Sequence, residues 1–238
     1  MILGVIPARY GSSRFPGKPL VEIRGKSMIQ RVYEQCQKAS LISRIVVATD
    51  DDRIYNHVQS FGGWVEMTDT KHVSGTERMA EIAQKYAEFG YFINIQGDEP
   101  FIDPAQINQV GEMLLDKTAP DIVTLALPLV DREKIANPNL VKVVMDRAGN
   151  ALYFSRSVIP FPRNETIENL YHKHIGIYGF RREVLLAVPQ MQASPLEVAE
   201  SLEQLRWLAA GYRIRVGITF TESQSVDTPE DLSEFSDL

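Results

Sequence analysis

The sequence predicts an α/β protein, a mostly parallel sheet flanked by helices, with a β-rich insertion in its second half. Three observations carry this expectation. The runs "ILGVI" (2–6), "RIVVAT" (44–49) and "YFINIQ" (91–96) are short and apolar, as strands buried on both faces should be. Between them stand stretches with apolar residues at helical spacing. Polar and charged residues gather just past the strand ends, where ligands bind in open parallel sheets.

The elements follow in order. The first strand delivers the chain into "IPARYGSSRFPGKPL" (6–20), where Arg9, Arg14 and Lys18 are threaded with Gly11, Gly17, Pro16 and Pro19. Gly and Pro break regular structure, and the three cations resist burial. Met28, Ile29, Val32, Tyr33 and Cys36 then share one helical face. The strand "RIVVAT" ends in "ATDDDR" (48–53), whose Asp50 to Asp52 suit a helix start. Ser74 with Glu77 has the pattern of a capping box, and Met79, Ile82, Ala83 and Tyr86 form the buried face of the helix it opens. Asp103 with Gln106 and Ser194 with Glu197 repeat that pattern, while Pro104, Pro195 and Pro229 fall in first helical turns. "DIVTLAL" (121–127) reads as a fourth strand.

From about residue 128 the rhythm changes. "LVKVVMDRAGNALYFSRSVIPF" (140–161) reads as strand, turn at Ala148–Gly149–Asn150, and strand, and "HIGIYGF" (174–180) as another strand. A helix over 195–210, the strand "RIRVGIT" (213–219) and a short helix over 229–236 return to the α/β pattern. No repeat or linker separates independent units. The 238 residues therefore read as a single domain with a β-rich sub-domain at about 128–190, a candidate lid and subunit contact.

Composition narrows the function. With 44% hydrophobic residues the chain can bury a sizeable core. A net charge of −6 argues against nucleic acid as a partner, so a local basic loop points to a small anionic ligand. Cys36 is the single cysteine, which excludes an intramolecular disulfide and a cysteine-based zinc site. "MILGVIPA" lacks the basic start of a signal peptide, and no apolar stretch approaches the roughly 20 residues that span a bilayer. The expectation is a cytoplasmic protein with no membrane partner.

The opening loop is neither a Walker A nor a GxGxxG loop, yet its glycines let backbone amides approach phosphates, with Arg9 and Lys18 adding charge. A solvated basic turn is the other reading. In "INIQGDEPFIDP" (93–104), Asp98 and Glu99 follow a strand end, either as Mg²⁺ ligands or as an ordinary acidic turn before a helix. In "SVDTPEDL" (225–232), capping accounts for Thr228, Glu230 and Asp231 without needing Asp227; spacing alone favours this reading over a second metal-facing carboxylate at Asp227. Ser74, Gly75 and Thr76 at a helix N-terminus can meet a nucleotide as well as cap the helix. His174, two positions from His172, reads as a polar substrate contact or a satisfied core histidine, since no third zinc ligand is evident. Arg156, Glu203 and Arg206 read individually as charges on a solvated face.

Taken in order, "IPARYGSSRFPGKPL", "VVATDDDRI", "SGTERMAE", "NIQGDEPFI", "ALYFSRSVIPF", "HIGIYGFR", "LEQLRWL" and "VDTPEDL" resemble the 3-deoxy-manno-octulosonate cytidylyltransferase (CMP-Kdo synthetase) family along essentially the whole chain. The first motif is shared in looser form with CMP-sialate synthetases. The resemblance implies the nucleotide-diphospho-sugar transferase fold, a homodimer, Mg²⁺ as cofactor, and the reaction CTP + Kdo → CMP-Kdo + pyrophosphate for lipopolysaccharide assembly. It implies Asp98 and Asp227 as metal ligands, and Arg9, Lys18 and Asp98 as the catalytic set. Arg9, Lys18, Ser74, Gly75 and Arg78 would hold the nucleotide. Arg14, Gln96, Arg156, His174, Tyr178 and Glu203 would hold Kdo, the two arginines being suited to its carboxylate. The same reaction on 8-amino-Kdo and a CMP-sialate synthetase stand as alternatives. A non-catalytic nucleotide sensor is the rival from another class, and it has no need of two metal carboxylates.

Overall fold

A computed structural model of the chain describes residues 1–11, 15–116, 118, 120–164, 170–222 and 224–235. The order is β1 (Ile2–Ala8), a small hairpin of β2 (Glu22–Ile23) and β3 (Lys26–Ser27), α1 (Met28–Cys36), β4 (Arg44–Thr49), α2 (Asp52–Ser60), β5 (Val65–Met67), α3 (Gly75–Lys85), β6 (Tyr91–Asn94) and α4 (Pro104–Leu115). Then come β7 (Ile122–Leu129), α5 (Arg132–Ala136), β8 (Lys142–Met145), β9 (Ala151–Ser155), β10 (Tyr171–Arg181), α6 (Arg182–Ala187), α7 (Pro195–Glu200), α8 (Gln204–Ala209) and β11 (Ile214–Ile218).

The main sheet runs β11-β7-β10-β6-β1-β4-β5. β1 pairs in parallel with β4 and β6, β4 with β5, and β7 with β11, while β10 lies antiparallel between β6 and β7. Strand pleat then divides the core into two. Leu3 and Val5 of β1 pack with Phe92 and with Met79, Ile82, Leu205 and Trp207 from α3 and α8. Ile2 and Ile6, alternating with them, pack with Ile93 and with Ile29, Ile54, Ile107 and Val110 from α1, α2 and α4. Side chains of successive strand residues point to opposite faces, so strands apolar throughout need helices on both sides. The predicted mostly parallel sheet is the one observed.

Several expectations change in detail. Residues 128–190 do not stand apart from the sheet: β10 runs through its middle, and only β8 and β9 form an antiparallel annex beside it. The predicted helix over 195–210 is two helices. Ser201 adopts φ 52°, ψ 49°, the left-handed region, and the break buries Leu202 and turns Glu203 toward α3. No Gly or Pro announced it. The last helix is a 3₁₀ turn, Glu230–Phe235; residue 236 is not among those described.

Of the three predicted capping boxes only Ser194 with Glu197 is complete. At α3 the Ser74 hydroxyl accepts from the Glu77 amide, but the Glu77 carboxylate reaches back to the Val73 amide instead. Asp103 accepts from the Ala105 amide, and Gln106 turns away to donate to the Thr221 carbonyl. β5, with three residues, is too short for a periodicity signal.

Candidate active site

Three strand-following segments meet above the sheet. β1 ends at Ala8 and the chain turns through Arg9 and Tyr10; Arg14 lies outside the described residues. The loop closes where the Gly17 amide donates to the Tyr10 carbonyl at 2.9 Å. Gly17 has φ 76°, and a Cβ there would lie 3.1 Å from the Tyr10 ring, so both backbone and space call for glycine. Lys18 then opens a single 3₁₀ turn, its Nζ aimed at the tip of β6.

At that tip come Gln96, Gly97 and Asp98. A Cβ on Gly97 would stand 3.0 Å from the Pro7 carbonyl oxygen, so glycine lets the β6 tip press against the end of β1. The C-terminal segment is drawn in by the Val226 amide, which donates to the Asp98 carbonyl at 2.9 Å, and Val226 packs with Ile23 and Met28 beside the β2–β3 hairpin. Residues far apart in sequence thus converge. Lys18 Nζ donates to Asp98 Oδ2 at 2.8 Å and to the Val226 carbonyl at 2.8 Å, and lies 3.5 Å from Asp227 Oδ1. Asp231, expected to complement a helix dipole, instead accepts from the Asp227 and Thr228 amides at 2.7 and 2.8 Å and fixes that turn.

These groups line one side of a cleft of roughly 390 Å³. Arg9 is exposed at its mouth. Ser74, Gly75 and Thr76 bring the N-terminus of α3 to its wall, with Gly75 against Pro7. Tyr178, Glu203 and Trp207 close the opposite wall, and Gln96 lies between, its amide donating to the Gly176 carbonyl at 2.9 Å. Glu203 accepts from the Thr76 hydroxyl at 2.7 Å and the Ser74 hydroxyl at 3.3 Å, while burial raises its pKa. It ties the start of α8 to the start of α3.

Other predicted site residues are placed differently. Arg78 lines the cleft, but its guanidinium is taken up by Asp50 at 2.7 Å and by the Thr68 hydroxyl. Arg156 is not among the cleft-lining residues: it donates to the Glu200 and Pro138 carbonyls at 2.7 and 3.1 Å. His174 stands behind the wall, its ring 5.2 Å from Tyr178 and 5.1 Å from Phe154, and its Nε2 is 3.0 Å from the Thr124 hydroxyl. Burial, with a smaller push from Lys173, holds its pKa down to about 3, so it is a neutral ring. That is the geometry of a satisfied core histidine.

Asn94 and Trp207 were not singled out by sequence, although both line the cleft and are 6% and 1% exposed. A polar Asn in the apolar run "YFINIQ" was the available signal for the first. Trp207 fits a helix's apolar face and carries no such mark.

A Gly-shaped loop bearing cations after the first strand, facing Asp98 past the end of a parallel neighbour and Asp227 from the C-terminal segment, defines a nucleotide-handling enzyme of the α/β class. The family model described as Cytidylyltransferase matches residues 3–214. Among similar proteins, the chain is 51% identical to the 3-deoxy-manno-octulosonate cytidylyltransferase of Bacteroides thetaiotaomicron, covering 97% of this chain and 94% of that one. It is 45% identical to the enzyme of that name from Protochlamydia amoebophila, covering 97% and 91%. A solved structure of CMP:2-keto-3-deoxy-manno-octonic acid synthetase complexed with CTP superposes with TM-score 0.93 at 46% identity, covering 98% and 95%. A 4-diphosphocytidyl-2C-methyl-D-erythritol synthase from Anaerococcus prevotii shares the fold at 15% identity and TM-score 0.66. The chain belongs to the cytidylyltransferase family, with the Kdo-activating enzymes as its relatives along nearly its full length.

Proposed function

We propose that this chain activates Kdo with CTP, giving CMP-Kdo and pyrophosphate. The observation that carries the reading is identity of 51% across 97% of the chain to an enzyme named for that reaction. The same likeness favours Kdo over a sialic acid as acceptor.

In this reaction the acceptor's anomeric 2-hydroxyl attacks the α-phosphorus of CTP. A new P–O bond forms, the bond to the β-phosphate oxygen breaks, and pyrophosphate leaves with the electron pair while the hydroxyl proton passes to solvent. Such transfers depend on positioning and on charge stabilisation rather than on a protein nucleophile. Arg9 at the mouth and Lys18 at the β6 tip are placed to balance charge on the triphosphate. The N-terminus of α3, with Ser74 and Gly75, offers amides to the nucleotide. Gln96, Tyr178 and Glu203 face the remaining space, which we assign to the acceptor.

Asp98 and Asp227 fit a divalent cation, because their oxygens already converge on one ammonium at 2.8 and 3.5 Å. Mg²⁺ takes one or two carboxylates plus substrate phosphates, so no larger protein cage is required. Held there it would neutralise phosphate charge and acidify the attacking hydroxyl. No described helix is long and apolar enough to cross a membrane. We place the enzyme in the cytoplasm as a homodimer supplying lipopolysaccharide assembly, with no nucleic-acid partner.

The test is pyrophosphate release with CTP and Mg²⁺, comparing Kdo, 8-amino-Kdo and sialic acid. Release with Kdo is expected. Release with sialic acid alone would overturn the acceptor, and release with none would return the chain to the sensor reading.

A further inference from the structure

Three buried polar atoms at one end of the cleft have no hydrogen-bond partner: Asn94 Oδ1, Tyr178 Oη and Trp207 Nε1. All three residues line the same cavity, and they are 6%, 8% and 1% exposed. Their backbones and rings are tightly set. Asn94 and Tyr178 face each other across the β6–β10 ladder, and the Tyr178 ring stands edge-on to Trp207 with centroids 5.0 Å apart. A buried polar group left unpaired is destabilising and calls for an explanation, and three beside one cavity point to a ligand that completes them.

Their chemistry limits that ligand. The indole N–H only donates, the phenol donates and accepts, and an amide offers both. Burial, reinforced by Glu203, raises the phenol pKa, so Tyr178 keeps its proton. None of the three carries charge, which suits neither phosphate nor carboxylate; hydroxyls, donor and acceptor at once, match all three. The nucleotide's ribose also has hydroxyls, but Tyr178 and Trp207 belong to β10 and α8, on the wall opposite Lys18 and Asp98, while Asn94, beside Gly75 of α3, stands between the two sides. We propose that Asn94 and Trp207, with Tyr178, form a neutral floor that reads the hydroxyls of the acceptor sugar. This deepens, and rests on, the Kdo-activating function proposed above.

Trp207→Phe keeps a ring against Tyr178 and Phe180 and removes only the N–H donor and one fused ring. It should raise the KM for Kdo about tenfold while the KM for CTP stays within about twofold, as loss of one buried hydrogen bond to one substrate requires. Asn94→Ala is the second variant, with the same acceptor-specific rise expected, and circular dichroism shows that each variant is folded. A Kdo analogue lacking one ring hydroxyl should be penalised in the wild type and less so in at least one variant, an effect that a purely structural role would not produce. Unchanged Kdo KM in the folded variants overturns the inference while leaving the function standing. A rise confined to CTP overturns it in favour of the ribose. A wild type that does not use Kdo at all sinks the function and this inference together.

Discussion

The Lys18 side chain is 15% exposed, and its ammonium is held between the carboxylates of Asp98 and Asp227, whose side chains are 28% and 42% exposed. Partial solvation weakens each pair, so the cluster is better explained by what it holds ready than by the stability it adds. Replacing Asp98 by Asn keeps its size and a hydrogen-bond acceptor for Lys18 but removes the charge proposed to bind Mg²⁺. Pyrophosphate release should fall at least about 100-fold, with the unfolding midpoint little changed, in line with the loss of a major electrostatic contact. Near-normal Mg²⁺-dependent turnover in Asp98→Asn would remove the metal assignment. His174 gives a different expectation, for stability. Its imidazole is held down to about 3 in the folded chain against an ordinary 6.5. Below the unfolded value the unfolded chain takes up a proton that the folded one refuses, so this group's stabilisation is full above it and is lost progressively as pH falls toward the folded value. The unfolding midpoint should therefore drop between neutral pH and pH about 4 more steeply in the wild type than in His174→Asn. Equal slopes would mean that the ring is not desolvated as the packing against Phe154 and Tyr178 indicates.

Among the elements, the break between α7 and α8 has the largest functional consequence. A continuous helix over 195–210 would carry Glu203 and Trp207 along one straight axis. The left-handed Ser201 ends α7, its amide donating to the Glu197 carbonyl, while α8 sets off toward the cleft, placing Glu203 against Thr76 and Trp207 against Tyr178. A non-glycine residue in that conformation costs about 1–2 kcal/mol. Ser201→Gly should thus stabilise the fold by up to about 1 kcal/mol, the strain relieved less the extra freedom of the unfolded chain. Ser201→Val should destabilise it, because a β-branched side chain tolerates that region poorly. Chemical denaturation of the two variants tests the pair, and a stable Ser201→Val would mean that the break is not needed. Nothing in "PLEVAESLEQLRWLAA" announces the break, because Ser is an ordinary helix residue and the apolar spacing continues through it. The same limit hid the failed boxes at Ser74 and Asp103. Spacing reports that a carboxylate or amide can reach back, not whether Glu77 or Gln106 has a better partner elsewhere.

At the scale of the whole molecule, local pattern and long-range pairing separate. The strands read at 2–6, 44–49 and 91–96 and their helices were legible, to within two residues at the strand ends, because burial on both faces leaves a continuous apolar run with helical spacing between. The site was legible in part, since Arg9, Lys18, Asp98 and Asp227 each follow the end of an element. Their convergence through the Val226 amide and Lys18 was not, because it joins positions more than a hundred residues apart. Arg156 shows the reverse case, a motif arginine whose guanidinium is engaged by the Glu200 and Pro138 carbonyls. The β-rich half looked like an insertion because β8 and β9 are antiparallel, yet β10 joins the two parallel parts of the sheet. Removing 150–180 would therefore dismantle the sheet and could not test a subunit contact. A surface substitution can. Phe161, in the segment between β9 and β10, is 84% exposed, and burying such a side chain between subunits contributes about 1.5–3 kcal/mol. If this segment carries the proposed homodimer, the wild type should sediment at twice the chain's 26.9 kDa. Phe161→Glu, which sets a charge where an apolar contact is needed, should then sediment as the monomer with unchanged circular dichroism. A wild type that is monomeric at micromolar concentration would remove the dimer, and a Phe161→Glu variant that stays dimeric would move the contact to another face.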